Sequence, residues 1–264
     1  AVNHLLFWRM AGKKSCFLGD ADALILKPLF IDQVISEIKK NFPSIDRFTV
    51  YGRTASAARS KSLDELKAYR SSGLDRVHFG IESGADRILK FMKKGETRTD
   101  NIAGCQKTKS AGLSCSVYVM PGLGGVKWSA EHAQETASLL SEIEPDYIRL
   151  RSLEIFPQTP LAQLRDNGEF SEADEDQVVQ EIRTLVSDIR GHTLLLSDSA
   201  SNLLDINGRL PADRDTMLKR IDAYLDLPER ERRRYSLKSR LNAFEGQYGG
   251  LSEDIYDAVS PYIK

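Results

Sequence analysis

The sequence has few cysteines, no long apolar run and no dominant sign of charge. Its three cysteines are widely spaced, and no C-x₂-C or C-x₃-C pair occurs among the 264 residues. This usage argues against a disulfide scaffold and favours a reducing cytosol, with each cysteine a buried or half-buried thiol. No apolar run approaches the roughly 20 residues that span a bilayer. Since 37 basic residues balance 38 acidic ones, the composition gives no sign of a nucleic-acid or membrane-surface partner.

Several common catalytic motifs are also absent from the sequence. The four histidines are scattered and form no H-x-x-x-H pair, so a zinc hydrolase is not expected. The glycine-rich segment Met120–Gly125 lacks both the G-x-G-x-x-G pattern and a following Lys-Ser/Thr. A dinucleotide fingerprint and a P-loop are therefore excluded.

Five β-rich segments alternate with helical segments over the first 156 residues. We expect strands at about 15–19, 47–52, 76–81, 113–120 and 146–156, and helices at about 1–11, 30–41, 62–71, 85–93, 99–110 and 129–143. The helix at 62–71 opens with a Ser-x-x-Glu capping box, and the one at 99–110 starts from Thr97 or Thr99. The alternation predicts an α/β protein of parallel β–α units, in a barrel or a doubly wound sheet. Because the series begins with a helix, we expect a preceding strand to be missing.

The character of the chain changes after residue 160. We expect helices at about 160–167 and 171–190, a sixth short strand at 192–196, and mainly helical, polar sequence from 211 to the end. We interpret the basic run from Pro228 to Arg240 as a solvated helix face, because acidic residues are interleaved in it. The predicted division is a core at 1–165 and a mainly helical C-terminal extension at 166–264.

Small and charged residues follow each of the five predicted strands. Since the carboxyl ends of parallel strands meet at one edge, we expect one shared polar site there. The segments are GDAD at Gly19–Asp22, YGRT at Tyr51–Thr54, ESG at Glu82–Gly84, MPGLGG at Met120–Gly125 and EIFP at Glu154–Pro157. The GDAD aspartates suit an ammonium group or a divalent cation, but capping of the next segment is an equal alternative. The glycine-rich amides suit a carboxylate, ribose or phosphate, but a simple tight turn is equally compatible.

Five stretches in this order resemble the radical-SAM superfamily, in particular its Elp3/MiaB-like and oxygen-independent coproporphyrinogen oxidase-like branch of uncharacterised Fe–S oxidoreductases. They span roughly residues 14–165 and are FLGDADAL at Phe17–Leu24, LDRVHFGIESG at Leu74–Gly84, LKFMKKG at Leu89–Gly95, YVMPGLGG at Tyr118–Gly125 and IRLRSL at Ile148–Leu153. The resemblance implies a partial (β/α)₆ TIM-like barrel without its first strand.

The resemblance also implies a binding site for S-adenosylmethionine. Asp20, with the backbone from Gly19 to Asp22, would hold the methionyl amino group. Glu82, Ser83 and Lys94 would meet the carboxylate or the ribose, and Met120, Gly122 and Leu153 would line the adenine. Arg149 and Arg151 alternate with apolar neighbours, so both are candidates to face ligand or substrate, with inward salt bridges as an equal alternative.

In that superfamily a C-x₃-C-x₂-C loop after the first strand holds a [4Fe–4S] cluster, which reductively cleaves S-adenosylmethionine to a 5′-deoxyadenosyl radical. The resemblance therefore implies a metal-binding cytoplasmic oxidoreductase or transferase with an electron donor such as flavodoxin or ferredoxin. This sequence lacks that loop. The non-Met start and the missing first strand favour a sequence that begins after the loop over a degenerate relative without a cluster, and we expect this chain alone to be inactive.

Two other classes of function remain open at this stage. One is a non-catalytic β/α-barrel module that binds a nucleotide-like ligand at the same strand ends. The other is a scaffold whose C-terminal helices dock a partner protein. The sequence does not identify the substrate, the reaction type or the oligomeric state.

Overall fold

The computed structural model of the protein describes residues 2–248. Its helices are α1 Val2–Met10, α2 Pro28–Asn41, α3 Leu63–Ser71, α4 Asp86–Phe91, α5 Arg98–Ser110, α6 Gly125–Ile143, α7 Pro160–Asp166, α8 Glu175–Asp188, α9 Arg214–Leu225 and α10 Glu229–Tyr248. Its strands are β1 Ser15–Leu18, β2 Arg47–Gly52, β3 Leu74–Glu82, β4 Ser114–Val119, β5 Tyr147–Leu150, β6 Thr193–Leu196 and β7 Gly208–Leu210. A short 3₁₀ helix at Ala23–Ile25 and a π-helix at Ser56–Ser60 follow β1 and β2.

The seven strands form one sheet in sequence order, β1-β2-β3-β4-β5-β6-β7. The pairs β1–β2 and β2–β3 are parallel, whereas β6–β7 is antiparallel. Helices separate the successive strands from β1 to β6, as parallel pairing requires. The predicted α/β class of parallel β–α units is confirmed.

The chain forms two compact units. One comprises the residues up to Tyr118 together with Leu139–Ile148, and the other comprises Val119–Ser138 together with the residues from Arg149 onward. The predicted division at residue 165 follows the change in sequence character and stays a prediction.

Strand β3 shows how the core of the first unit is built. Successive side chains of a strand point to opposite faces, so Val77, Phe79 and Ile81 share one face of the sheet. All three are fully buried. The apolar face of the sheet packs with helix residues such as Ile35 and Leu66, which are also fully buried. The opposite face of β3 carries polar residues and is the one that matters for the candidate site.

Helix starts follow the predicted capping chemistry. The Ser62 hydroxyl accepts the Glu65 amide at 3.1 Å, and the Glu65 carboxylate accepts the Ser62 amide at 2.9 Å. Thr97 and Asp100 form the equivalent box at the start of α5, which settles the choice between Thr97 and Thr99. Both boxes satisfy backbone donors that have no partner within the helix.

Several predicted bounds differ from the structure. The strand expected at 146–156 is regular only over Tyr147–Leu150, and α8 begins after the N-cap Asp174 rather than at residue 171. Helix α6 begins four residues early, at Gly125, and is kinked by the non-helical backbone of Trp128. The predicted sixth strand is present as β6, but it pairs with β7, which was not predicted. The helical prediction for residues 249–264 lies outside the described residues.

Within residues 2–248, none of the helices combines the length and apolar character that crossing a membrane requires.

Candidate functional site

The two aspartates that follow β1 have different surroundings. Asp22 is buried, and its carboxylate accepts the Arg53 amide at 3.0 Å and the Ser56 hydroxyl at 2.5 Å. It therefore ties the end of β1 to the segment after β2, and it makes no capping bond to the 3₁₀ helix that it precedes. Asp20 is exposed, and its carboxylate accepts only the adjacent Ala21 amide in the bonds that the structure gives, at 2.6 Å. Asp20 thus keeps most of its capacity to accept hydrogen bonds from a ligand.

Open space lies beside this strand end. A Cβ atom placed on Gly19 would meet no heavy atom within 4 Å. An exposed carboxylate next to such space suits a primary ammonium group, which donates up to three hydrogen bonds.

An ion pair occupies the end of β3. The Lys94 ammonium lies 2.6 Å from the Glu82 carboxylate, and both side chains are partly exposed. The Lys94 carbonyl accepts the Arg53 guanidinium at 2.6 Å, which fixes the loop that carries Lys94. Glu82 has a left-handed backbone with φ of 58°, a conformation that costs a non-glycine residue free energy. The end of β3 thus presents an acidic group, Glu82, next to a basic group, Lys94. The hydrogen bond from Arg53 holds the loop that carries the basic group.

Ser83 is fully buried directly after this pair. Its hydroxyl accepts the Ala85 amide at 3.1 Å, just before α4 begins, and its own amide donates to the Ile81 carbonyl at 2.6 Å. The structure therefore places Ser83 in the turn that supports Glu82.

Four rings on the polar face of the first unit were not predicted to lie together. Tyr51 lies 4.6 Å from Phe17 and 6.1 Å from both His78 and Tyr118, measured between ring centroids. They come from β1, β2, β3 and β4, one ring from each strand. The parallel register of Tyr51 with His78 could have been inferred once strand pairing was known.

The glycine-rich segment of the second unit is a tight strand-to-helix turn. The Gly122 amide donates to the Glu181 carboxylate at 2.7 Å, the Leu123 amide to the Met120 carbonyl at 3.1 Å, and the Gly125 amide to the Gly122 carbonyl at 2.9 Å. These three amides are used within the protein and are not offered to a ligand carboxylate, ribose or phosphate. For them the structure shows the alternative, a tight turn.

Leu153 lies next to this turn within the second unit. Its amide donates to the Pro121 carbonyl at 2.9 Å, and a Cβ atom on Gly122 would lie 3.6 Å from the Leu153 Cβ. The structure thus brings together Gly122 and Leu153, two of the three residues assigned to the adenine. Leu153 also lines a cavity of about 340 Å³, together with Ser152, Glu154, Ile155, Glu172, Ala173, Glu175, Val178, Leu203 and Arg240.

Arg149 and Arg151 share one acidic partner. Their guanidinium groups lie 3.3 Å and 3.1 Å from the two carboxylate oxygens of Asp198. Partial burial acts to raise the pKa of Asp198, but the hydrogen bond from Arg151 and the charges of both arginines outweigh it, so the pKa is lowered. The structure therefore shows salt bridges for both arginines, the alternative to ligand contacts.

The sequence analysis did not identify Glu181, a buried acid that is hydrogen-bonded to the glycine-rich turn. Glu181 on α8 is 2% exposed, and besides Gly122 it accepts the Ser129 hydroxyl at 2.6 Å. The His132 ring lies 3.8 Å away, and its Nε2 atom is 3.0 Å from the Met120 carbonyl oxygen. Glu181 sits at an inward position of an amphipathic helix, and that pattern normally holds an apolar residue. That mismatch was the signal available in the sequence.

The three cysteines do not fit a [4Fe–4S] cluster. Cys16 is half-buried in β1, while Cys105 in α5 and Cys115 in β4 are buried. A hydrogen bond with Cys115, and then burial, raise the pKa of Cys105 well above its ordinary value. The three cysteines belong to a strand, a helix and another strand and not to one short loop, which is the arrangement that a [4Fe–4S] cluster needs. Among residues 2–248, no group of three or more His, Cys, Asp and Glu side chains is placed to hold a metal ion. The expectation of plain buried or half-buried thiols is confirmed.

Comparison with known families decides the classification. The family described as "Radical SAM superfamily" matches residues 3–140, just over half of the chain. The chain belongs to the radical SAM superfamily. The predicted resemblance is thereby confirmed at the level of the superfamily. None of the curated proteins compared with the sequence matches it.

Solved structures of radical SAM proteins share the fold. The structure is similar to that of an Elp3 from the archaeon Methanocaldococcus infernus lacking residues 1–46, with a TM-score of 0.58 and 16% identity over 92% of this chain and 60% of that one. It is also similar to the cobalamin-dependent S-adenosylmethionine radical enzyme OxsB with aqua-cobalamin and S-adenosylmethionine bound, with a TM-score of 0.51 and 14% identity over 99% of this chain and 45% of that one. These similarities confirm the predicted TIM-like radical SAM fold. The chain spans 60% and 45% of the lengths of these two proteins.

Proposed function

We propose that this chain is the S-adenosylmethionine-binding core of a radical SAM enzyme. The observation that carries the proposal is the end of β1, where the exposed Asp20 carboxylate stands beside open space at Gly19. The methionyl ammonium group of the ligand is the partner that such a carboxylate suits best. Asp22 stabilises this strand end, because its carboxylate accepts hydrogen bonds from the Arg53 amide and the Ser56 hydroxyl.

The end of β3 is proposed to bind the carboxylate and ribose of the same ligand. The Lys94 ammonium can bridge a ligand carboxylate while it keeps Glu82, since an ammonium has three donors. The Glu82 carboxylate, in turn, can accept from ribose hydroxyls. Ser83 supports this geometry from its buried position in the turn.

Met120, Gly122 and Leu153 are the proposed contacts of the adenine, as the resemblance implies. Met120 and Gly122 of the turn, with Leu153, supply an apolar surface whose backbone is held by internal hydrogen bonds. A surface with satisfied amides suits the flat face of a base better than it suits a phosphate. The structure of OxsB, which has a similar fold and contains S-adenosylmethionine, supports a ligand of this class.

Radical formation belongs, in this proposal, to the whole enzyme and not to the residues described here. A [4Fe–4S] cluster supplies the electron that cleaves S-adenosylmethionine in this superfamily, and the three cysteines of this chain do not fit it. We therefore assign no step of the reaction to this chain and infer that it binds the ligand without cleaving it. The electron donor of the whole enzyme, such as flavodoxin or ferredoxin, and its cytoplasmic location are part of the same proposal.

The arginine pair is proposed to face the substrate. The guanidinium groups of Arg149 and Arg151 lie side by side at Asp198, and both side chains are partly exposed. A substrate with a carboxylate or phosphate group suits two neighbouring guanidinium groups.

The first test is the affinity for S-adenosylmethionine measured by calorimetry. Asp20→Asn and Glu82→Gln each remove a charge-assisted contact, so we expect each to cost about 1.5–3 kcal/mol, a roughly ten- to hundredfold loss of affinity. Glu37→Gln is the control, because it removes an exposed carboxylate from α2, away from the strand ends. Wild-type affinity in both Asp20→Asn and Glu82→Gln would remove this site assignment.

A non-catalytic binding module is the second candidate, because the cysteines of the described residues do not form a cluster site. It predicts the same ligand contacts but no cluster anywhere in the full protein. A C-x₃-C-x₂-C loop in the full-length reading frame would decide for the enzyme. The scaffold hypothesis receives less support, because Arg232 and Arg240 of the basic run are paired with Asp176 and Glu175 of α8, each at 2.8 Å. This part of α10 packs within its own unit and is not wholly a solvated face.

A further inference from the structure

Glu181 carries a carboxyl group that is almost fully buried, and burial raises the free energy of an ionised carboxylate. It is 2% exposed on α8, and burial raises its pKa to about 7, against the opposing effect of the bonds from Ser129 and Gly122. An apolar side chain at this position would avoid the cost of desolvation. Packing alone therefore does not explain why position 181 carries an acidic residue.

Both carboxylate oxygens are used to hold the start of α6 and the turn before it. One accepts the Gly122 amide at 2.7 Å, and the other accepts the Ser129 hydroxyl at 2.6 Å. Gly122 has φ of 87°, a conformation that glycine adopts without strain, and the acceptor for its buried amide is Glu181. Val178, one turn earlier on α8, would lie 3.2 Å from a Cβ atom on Gly122, which closes the space on that side.

We propose that Glu181 is a positioning residue, which sets the Met120–Gly125 turn in the shape that receives the adenine of S-adenosylmethionine. This inference rests on the proposed function for its ligand. The role of Glu181 in the turn itself rests only on the hydrogen bonds from Gly122 and Ser129.

The titratable group that faces Glu181 is His132 of α6. Burial lowers the pKa of His132 to about 4, so its ring is neutral near pH 7 and adds no positive charge to the pair. The other contacts, from the turn and from Ser129, are uncharged. The protonation of Glu181 alone therefore changes the charge of this cluster near neutral pH. An ionised carboxylate accepts hydrogen bonds more strongly than a protonated one.

The direct test is hydrogen exchange of the Gly122 amide, followed by NMR. Glu181→Ala leaves this amide without its acceptor, so we expect exchange at least about tenfold faster. Glu181→Gln can keep both bonds, since its carbonyl accepts from Gly122 and its amide group donates to the Ser129 oxygen, so we expect near wild-type exchange. Asp188→Asn is the control, because it removes an exposed carboxylate from the same helix. Unchanged exchange in Glu181→Ala would overturn the inference, and so would equally fast exchange in Glu181→Gln.

The second measurement is the affinity for S-adenosylmethionine between pH 6 and 8. We follow the ratio of wild-type to Glu181→Gln affinity, because the ligand's own titration cancels in that ratio. As Glu181 ionises, the wild type should gain about three- to tenfold relative to Glu181→Gln. This comparison does not need Glu181→Ala to fold. Equal affinity of the wild type and Glu181→Gln at every pH between 6 and 8 would overturn the role of Glu181 in ligand binding.

The affinity measurement tests the ligand assigned to the turn, and the amide exchange tests the role of Glu181 in the turn itself. Failure of the wild type to bind S-adenosylmethionine would overturn the proposed function and, with it, the ligand assigned to the turn. Faster Gly122 exchange in Glu181→Ala, restored in Glu181→Gln, would support the positioning role independently of that result.

Discussion

At the scale of single residues, neighbouring acids differ in how far the protein itself uses them. Both carboxylate oxygens of Asp22 accept hydrogen bonds, one from the Arg53 amide and one from the Ser56 hydroxyl. Asp20, two residues earlier, is exposed. The sequence placed both at the end of β1 but could not separate their roles, because the partners of Asp22 lie more than 30 residues away. Glu181 escaped prediction for the same reason, since its contacts with Gly122 and Ser129 exist only in the folded chain.

Glu181 and His132 also predict an unusual pH dependence of stability. The pKa of Glu181 rises from 4.5 to about 7 on folding, so its contribution falls as the pH rises between those values. The pKa of His132 falls from 6.5 to about 4, so its contribution rises as the pH rises between about 4 and 6.5. The two effects oppose each other between about pH 4.5 and 6.5.

We therefore expect Glu181→Gln to unmask the effect of His132. The thermal midpoint of Glu181→Gln should rise more steeply than that of the wild type between pH 4.5 and 6.5, as followed by circular dichroism. Asp188→Asn, which removes an exposed carboxylate, should keep the wild-type profile in that range. A Glu181→Gln profile parallel to that of the wild type would show that Glu181 titrates at its ordinary pKa.

At the scale of elements, local chemistry predicted helix starts better than it predicted strand ends. Ser62 and Thr97 carry the capping boxes in their own sequence, so the starts of α3 and α5 could be predicted. Strand β5 ends at Leu150, although the predicted strand continues to Phe156, because pairing and not propensity ends a strand. Strand β7 has three residues and gives no periodic signal.

Close packing of α5 on the segment after β2 gives a prediction at this scale. A Cβ atom on Gly104 would overlap the Thr54 backbone carbonyl, next to the 2.6 Å hydrogen bond between Thr54 and Asn101. Gly104→Ala should therefore destabilise the protein by about 1–3 kcal/mol in urea unfolding, although alanine is the better helix former. Gly19→Ala, which meets no atom within 4 Å, should leave stability unchanged. Equal or higher stability of Gly104→Ala would show that this contact is not tight.

At the scale of the whole molecule, order along the chain was the most informative signal. Five weak motifs in sequence order predicted the superfamily that the family match confirms, and the parallel β–α alternation predicted the fold. The ligand contacts did not follow from the same order. The amides of Gly122, Leu123 and Gly125 are satisfied internally, which the glycine content of the turn did not reveal.

The central claim is that the strand ends of this radical SAM core bind S-adenosylmethionine. The most direct measurement is a titration of the ¹⁵N-labelled chain with S-adenosylmethionine, followed by amide chemical shifts. The account predicts saturable shifts at Gly19–Asp22 and at Glu82–Ser83. Shifts confined to other parts of the chain, or no saturable shift at all, would contradict it.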